Sequence, residues 1–211
     1  MRLKRVFDQL DDYQQDAVEF AVQVKRAALL FEQGTGKTWI TGGIIERLFS
    51  PAFVGMVVVP LNNLQSTWMA FFRSRLPQVP VFLDFEEFKV APLPKLLVVH
   101  YEALPKAIRK LSRIRFTFIG YDEAQRLRGR STRQSRDAAK LRDSAEYKLI
   151  LSGTPMEREP QDLWAQFRFL APEVFGTRWK DFEEEYLEPV KIDLSKYHPG
   201  SLRFKRMLKI K

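Results

Sequence analysis

Six apolar runs recur along this 211-residue chain, at 27–32, 53–60, 79–85, 95–101, 115–123 and 147–155, and they constrain its fold more than any other feature. Most read as continuous Val, Ile, Leu and Phe rather than as apolar and polar residues in alternation. Continuous runs of strand length fit strands covered on both faces. Stretches with helical spacing separate several of them, among them 37–48 and 62–74, the second capped by Asn62 or Asn63. Strands alternating with helices predict an α/β fold with a mostly parallel central sheet, flanked by helices on both faces in three layers. Sheets of this kind bind ligands beyond the carboxyl ends of their strands. Those ends are therefore where functional residues are expected.

Composition narrows the class. A chain of 211 residues with 45% hydrophobic residues can bury a large core. No apolar run approaches the ~20 residues needed to cross a bilayer, so no membrane partner is expected. Cysteine is absent, which removes disulfides and thiolate metal sites and makes an intracellular, cytoplasmic location the default (nuclear in a eukaryote). The formal charge of +9 leaves two readings open, a soluble basic protein and a partner of nucleic acid. Arg126, Arg128, Arg130, Arg133 and Arg136 fall in one short segment, and residues 191–211 carry seven Lys or Arg against one Asp.

Three of the run ends carry chemistry. The first run is followed by Gly34-Thr35-Gly36-Lys37-Thr38, and a helical pattern begins there. Glycines let backbone N–H groups converge on phosphate oxygens, and the helix start adds a positive dipole. Lys37 would neutralise β- and γ-phosphates, and the Thr38 hydroxyl would ligate Mg²⁺. The strict phosphate-loop pattern would place glycine where this chain has Phe31, so an ordinary glycine-rich turn is the competing reading. The fifth run ends in Asp122-Glu123. Asp122 would hold Mg²⁺, and Glu123 would act as general base toward water. One acidic pair alone could equally cap a helix. The sixth run ends in Ser152-Gly153-Thr154-Pro155, which suits either a sensor of the γ-phosphate or a plain helix start.

Gln14, Gly-Thr-Gly-Lys-Thr, Asp-Glu-Ala-Gln and Ser-Gly-Thr-Pro, in this order, resemble the first, RecA-like motor lobe of superfamily two helicases. That superfamily does not require the glycine that Phe31 replaces. Within it the chain looks like the Swi/Snf-type DNA translocases. LDDYQQDAV (10–18) resembles the adenine-recognition motif of that branch. VVVPLNNLQSTW (57–68) and VVHYEAL (98–104) resemble motifs Ia and Ib, and the segment 152–176 resembles a stretch typical of the branch. The resemblance spans about residues 8–188.

The resemblance implies that Gln14 reads adenine, and that Gly34, Thr35, Gly36, Lys37 and Thr38 bind ATP. It implies that Lys37, Asp122 and Glu123 are catalytic, with Mg²⁺ held by Thr38 and Asp122. Gln125, Ser152 and Thr154 would couple the nucleotide to motion. Pro60, Asn62, His100 and Tyr101 would face the backbone of duplex DNA. Gln125 stands where this branch usually has His; an amide can still bridge the acidic motif to the Ser-Gly-Thr turn, but it does not titrate.

The expected organisation is a segment 1–26 with the adenine motif, a RecA-like lobe 27–172, and a helical, basic extension 173–211. After Glu159 a helix broken by Pro172 is expected, followed by another stopped at Pro189. These motors hydrolyse ATP between two lobes, so a second lobe, in cis or in trans, is expected to supply arginine fingers. The basic end RFKRMLKIK resembles a connector toward it. The function so implied is the ATP-binding lobe of a DNA-dependent translocase, weak as an ATPase in isolation. The alternatives are a module that binds nucleotide or DNA without turnover, and an RNA helicase lobe.

Overall fold

The computed structural model describes residues 5–156, 161–193 and 204–210. Strands β1 (Arg26–Leu29), β2 (Val54–Val59), β3 (Val81–Phe82), β4 (Lys95–His100), β5 (Phe116–Tyr121) and β6 (Ala145–Leu151) form one sheet in the order β1-β6-β5-β2-β4-β3. Every pairing in it is parallel. The sheet lies between two helical layers, as the continuous apolar runs require.

Successive residues of each strand serve opposite layers. Val57, Val59, Leu149 and Leu151 face α1 (Asp12–Val24), α2 (Lys37–Leu48) and α4 (Ala70–Arg75). Met56, Val58, Ile119, Tyr121 and Ile150 face α6 (Leu104–Leu111), α7 (Arg133–Lys140) and α8 (Gln161–Leu170). The first layer is tight: a Cβ added at Gly43 of α2 would lie 2.9 Å from Val18 of α1.

Register brings the strand ends level. Leu29 pairs with Leu151, Tyr121 with both Ile150 and Val58, and Val59 with His100. The backbone ladder then runs one step further, with Asp122 N donating to Val58 O at 2.8 Å and Ser152 N donating to Leu29 O at 3.2 Å. The loops that carry the motifs therefore leave the sheet along one edge.

Several expectations need correction. The first strand stops at Leu29 rather than 32, because the backbone there turns into the glycine loop. Only Val81 and Phe82 of the run 79–85 pair as a strand; Asp84 accepts from Glu86 N and Glu87 N and starts α5 (Phe85–Val90) instead. The helix expected over 62–74 begins at Leu61, with Pro60 at its N-cap rather than Asn62 or Asn63. It runs as α3 (Leu61–Asn63), a π-helical turn over Leu64–Met69, and α4.

Pro172 does interrupt a helix, separating α8 from α9 (Pro172–Phe175). The next helix, α10 (Trp179–Tyr186), ends before Pro189. The chain continues as β7 (Leu187–Asp193), antiparallel to β8 (Phe204–Ile210). The extension thus contains a hairpin that its sequence, rich in Lys and Arg, did not signal. Phe182 and Leu187 pack with Trp164 in a small apolar cluster of their own.

Candidate functional site

The loop after β1 reverses direction through Gly34 (φ 83°) and Gly36 (φ 77°), conformations that any other residue adopts with strain. A Cβ at Gly36 would lie 2.4 Å from Gln14 Nε2. Gln14 thus sits directly against the loop. Its Nε2 donates to Thr35 O at 3.1 Å and to the Tyr13 hydroxyl at 3.2 Å, while Tyr13 donates to the same Thr35 carbonyl at 3.0 Å. Gln14 Oε1 accepts from Asp11 N at 3.0 Å, closing a capping box at the start of α1. Tyr13 and Gln14 clamp the loop, a duty the sequence reading had not assigned them. The Asp-x-x-Gln spacing of the capping box was the available signal.

Lys37, the first residue of α2, is buried and points back into the loop. Its Nζ donates to Phe31 O at 2.9 Å and Glu32 O at 2.8 Å. Phe31 therefore contributes through its carbonyl, which any residue type provides. Lys37 and Thr38 line a cleft of about 560 Å³ together with Gly34, Gly36, Asp122 and Glu123. The cleft extends along α4 as far as Arg75, whose guanidinium lies 4.7 Å from the centre of the Trp39 ring.

Asp122 follows β5 and is buried. Burial raises its pKa, and the hydrogen bond from the Trp68 indole opposes that rise. Trp68 Nε1 donates to Asp122 Oδ2 at 2.9 Å, and Glu123 N donates to Oδ1 at 3.0 Å. Trp68 lies in the π-helical turn, a feature often found at functional sites. Glu123 takes the left-handed conformation (φ 49°, ψ 53°), which costs on the order of 1 kcal/mol or more for a non-glycine residue. The following residues wind into a 3₁₀ turn, Ala124–Leu127.

From Glu123 a chain of hydrogen bonds leads away from the cleft. Gln125 Nε2 donates to Glu123 Oε2 at 2.6 Å. The Ser152 hydroxyl donates to Gln125 Oε1 at 2.7 Å, and Thr154 N donates to Ser152 Oγ at 3.1 Å. An ionised carboxylate only accepts, which fixes the orientation of the Gln125 amide. Gly153 lies beside the loop that began the site: a Cβ there would be 3.4 Å from Phe31 O. Behind the turn, the buried Gln166 of α8 donates to Pro155 O and, at 3.2 Å, to Asp162 O.

The residues expected to face DNA divide. Asn62 is exposed, and His100 is half-buried with Nδ1 3.1 Å from Glu102 Oε2. Pro60 is buried beneath the helix it starts. Tyr101 is a correction: its side chain is buried, and its hydroxyl donates to Asp122 O at 2.7 Å. It braces the acidic motif from behind and presents no free hydroxyl to a backbone. A buried tyrosine at a strand end reads the same in sequence as an exposed one.

The fold and the arrangement of the cleft define a RecA-like lobe in which strand ends converge on a glycine-rich loop, an acidic pair and a Ser-Gly-Thr turn. Residues 13–210 match the SNF2-related domain, and the chain belongs to that family.

Among its relatives is a fruit-fly (Drosophila melanogaster) protein named SWI/SNF-related matrix-associated actin-dependent regulator of chromatin subfamily A-like protein 1. It is 28% identical over 79% of this chain and 22% of its own length. Another is the Arabidopsis thaliana ATP-dependent helicase BRM, 29% identical over 75% of this chain and 8% of its own length. The chain thus spans less than a quarter of either relative. A solved structure of the Sulfolobus solfataricus SWI2/SNF2 ATPase core in complex with dsDNA superimposes with a TM-score of 0.74 at 22% identity. The match covers 88% of this chain and 40% of that one, and it establishes the shared fold.

Proposed function

We propose that this chain is the ATP-binding lobe of a duplex DNA translocase, and that it binds Mg-ATP at the cleft formed by Gly34–Thr38, Asp122 and Glu123. The observation that carries this reading is the hydrogen-bond relay from Glu123 through Gln125 to Ser152 and Thr154. It links the candidate base to a second motif loop, which a site built only to hold a ligand does not need.

The residues present fit Mg-ATP. The glycine loop leaves open space at Gly34, and Lys37 rests on carbonyls it can leave for phosphate oxygens. Thr38 and the carboxylate of Asp122 face the same cleft as oxygen donors suited to Mg²⁺. Bound Mg²⁺ would supply charge neutralisation at the phosphates. Lys37 would move its ammonium from the loop carbonyls to the phosphates. Glu123, pre-oriented by its strained backbone and by Gln125, would take a proton from water. Gln14 would read adenine from a helix start already clamped to the loop.

Asn62 and His100 leave the same sheet edge and would face the DNA backbone, in line with the DNA-bound neighbour of the same fold. Segment 1–26 would carry the adenine motif, 27–172 the motor lobe, and 173–211 a passage toward a second lobe, in cis or in trans, that completes hydrolysis with arginines.

Glu123→Gln tests the reading in a two-lobe protein that contains this chain. Turnover is expected to fall at least about a hundredfold, as loss of a general base does, with Mg-ATP still bound. An unchanged rate would assign the lobe to binding without turnover. Comparing stimulation by duplex DNA, single-stranded DNA and RNA identifies the track.

A further inference from the structure

Helix α8 reaches both turns of the relay from behind. Gln166 is fully buried, and its Nε2 donates to Pro155 O, at the end of the Ser-Gly-Thr-Pro turn, and to Asp162 O at 3.2 Å. Proline has no N–H, so this carbonyl is the only polar handle that Pro155 offers. Both partners of Gln166 are carbonyls, which only accept, and they fix the direction of its amide. One turn earlier on the same helix, the buried Asp162 accepts from Gly129 N at 3.2 Å through Oδ1. Gly129 follows the 3₁₀ turn Ala124–Leu127, which Arg128 N closes by donating to Gln125 O at 3.1 Å. Arg168 holds the same segment again, its NH1 donating to Arg130 O at 3.3 Å.

These bonds close a ring. From Gln125 it passes through Ser152 to the Ser-Gly-Thr-Pro turn. It crosses by Gln166 to α8 and returns through Asp162 and Gly129 to the 3₁₀ turn that carries Gln125. Gln166 Oε1 is buried with no donor among the described residues. A buried amide oxygen left so lowers stability, and methionine would fill a similar space without that loss. Packing therefore does not account for a glutamine at this position, whereas holding two carbonyls does.

We propose that Gln166 and Asp162 are positioning residues for hydrolysis. Together they hold the acidic-motif turn and the Ser-Gly-Thr-Pro turn at one separation, so that Gln125 bonds Glu123 and Ser152 at once. The two relay bonds are short, 2.6 and 2.7 Å, and a side chain of fixed length makes both only when the turns are correctly spaced. Between Asp162 and Gln166 on α8 lies Trp164, whose ring centre is 5.4 Å from that of Trp179 and 6.5 Å from that of Phe182, both on α10. The helix that straps the turns thus also carries α10, and a change of spacing at the turns is passed to the start of the extension. The inference rests on the reading of the cleft as a site of ATP hydrolysis.

Hydrogen exchange read by mass spectrometry tests the strap in the 211-residue chain without nucleotide. Gln166→Met nearly keeps the volume and removes both bonds. It is expected to speed exchange at least about threefold in peptides covering 152–154 and also in those covering 124–129, with a melting temperature within about 3 °C of wild type. Asp162→Ala leaves Gln166 in place and is expected to speed exchange in 124–129. Faster exchange confined to α8 would overturn the strap. Turnover in a two-lobe protein that contains this chain separates positioning from plain loosening. Gln166→Met is expected to lower kcat about fivefold or more while KM for ATP stays within about twofold. Adding Gln125→Leu is expected to lower kcat little beyond the larger single effect, because both changes act on one contact. Effects that multiply, or an unchanged kcat in Gln166→Met, would overturn the proposal. If Gln166→Met loosens both turns while Glu123→Gln leaves turnover unchanged, the hydrolysis reading fails and the strap stands.

Discussion

Gln125 joins the two halves of the site through hydrogen bonds. It is the single side chain between Glu123 and Ser152, with bonds of 2.6 and 2.7 Å on either side. Leucine has similar volume and no polar atoms, so Gln125→Leu breaks both bonds without emptying the space. In a two-lobe protein containing this lobe, kcat is expected to fall about tenfold or more while KM for ATP stays within about twofold, because only a transition-state interaction is lost. Gln125→His is expected to restore much of kcat and to add an acid limb to the pH profile as the imidazole titrates near its usual ~6.5. A rise in KM with unchanged kcat would mean that Gln125 shapes ground-state binding instead. The same residue shows what sequence makes visible. Its place after Asp-Glu-Ala identified it as a bridge, but the direction of its amide followed only from the carboxylate on one side and the hydroxyl on the other.

At the scale of elements, six parallel strands were legible because burial on both faces leaves a continuous apolar signature. The short β3 was over-read, since Asp84 favours a helix cap over a third paired residue. The hairpin β7–β8 was missed because its strands carry charge rather than an apolar run. The π-helical turn left no signal, although it carries the Trp68 that bonds Asp122.

Lys148 was hidden for a related reason: it reads as a polar interruption of β6, yet it is 5% exposed and donates to Phe169 O near the end of α8 at 2.9 Å. Burial pulls its pKa from 10.5 down to about 8. Between those two values the unfolded chain binds more protons than the folded one, so stability rises with pH across that window. Lys148→Met removes the titrating group. The melting temperature of the wild type relative to this variant is therefore expected to climb from pH 8 toward pH 10. A constant difference would mean that Lys148 stays charged in the fold.

On the scale of the whole molecule, the parallel sheet, the glycine loop and the acidic pair form one working edge, and the order of motifs along the chain is enough to anticipate it. The match of residues 13–210 to the SNF2-related domain places that edge in a family. What the edge does rests on the loop binding a nucleotide. The most direct measurement is a titration of the 211-residue chain with a fluorescent ADP analogue, with and without Mg²⁺, for wild type and Lys37→Ala. The account predicts saturable, Mg²⁺-dependent binding that weakens at least about tenfold in Lys37→Ala, as loss of a charged phosphate contact does. Equal affinity in both proteins, or binding indifferent to Mg²⁺, would contradict it.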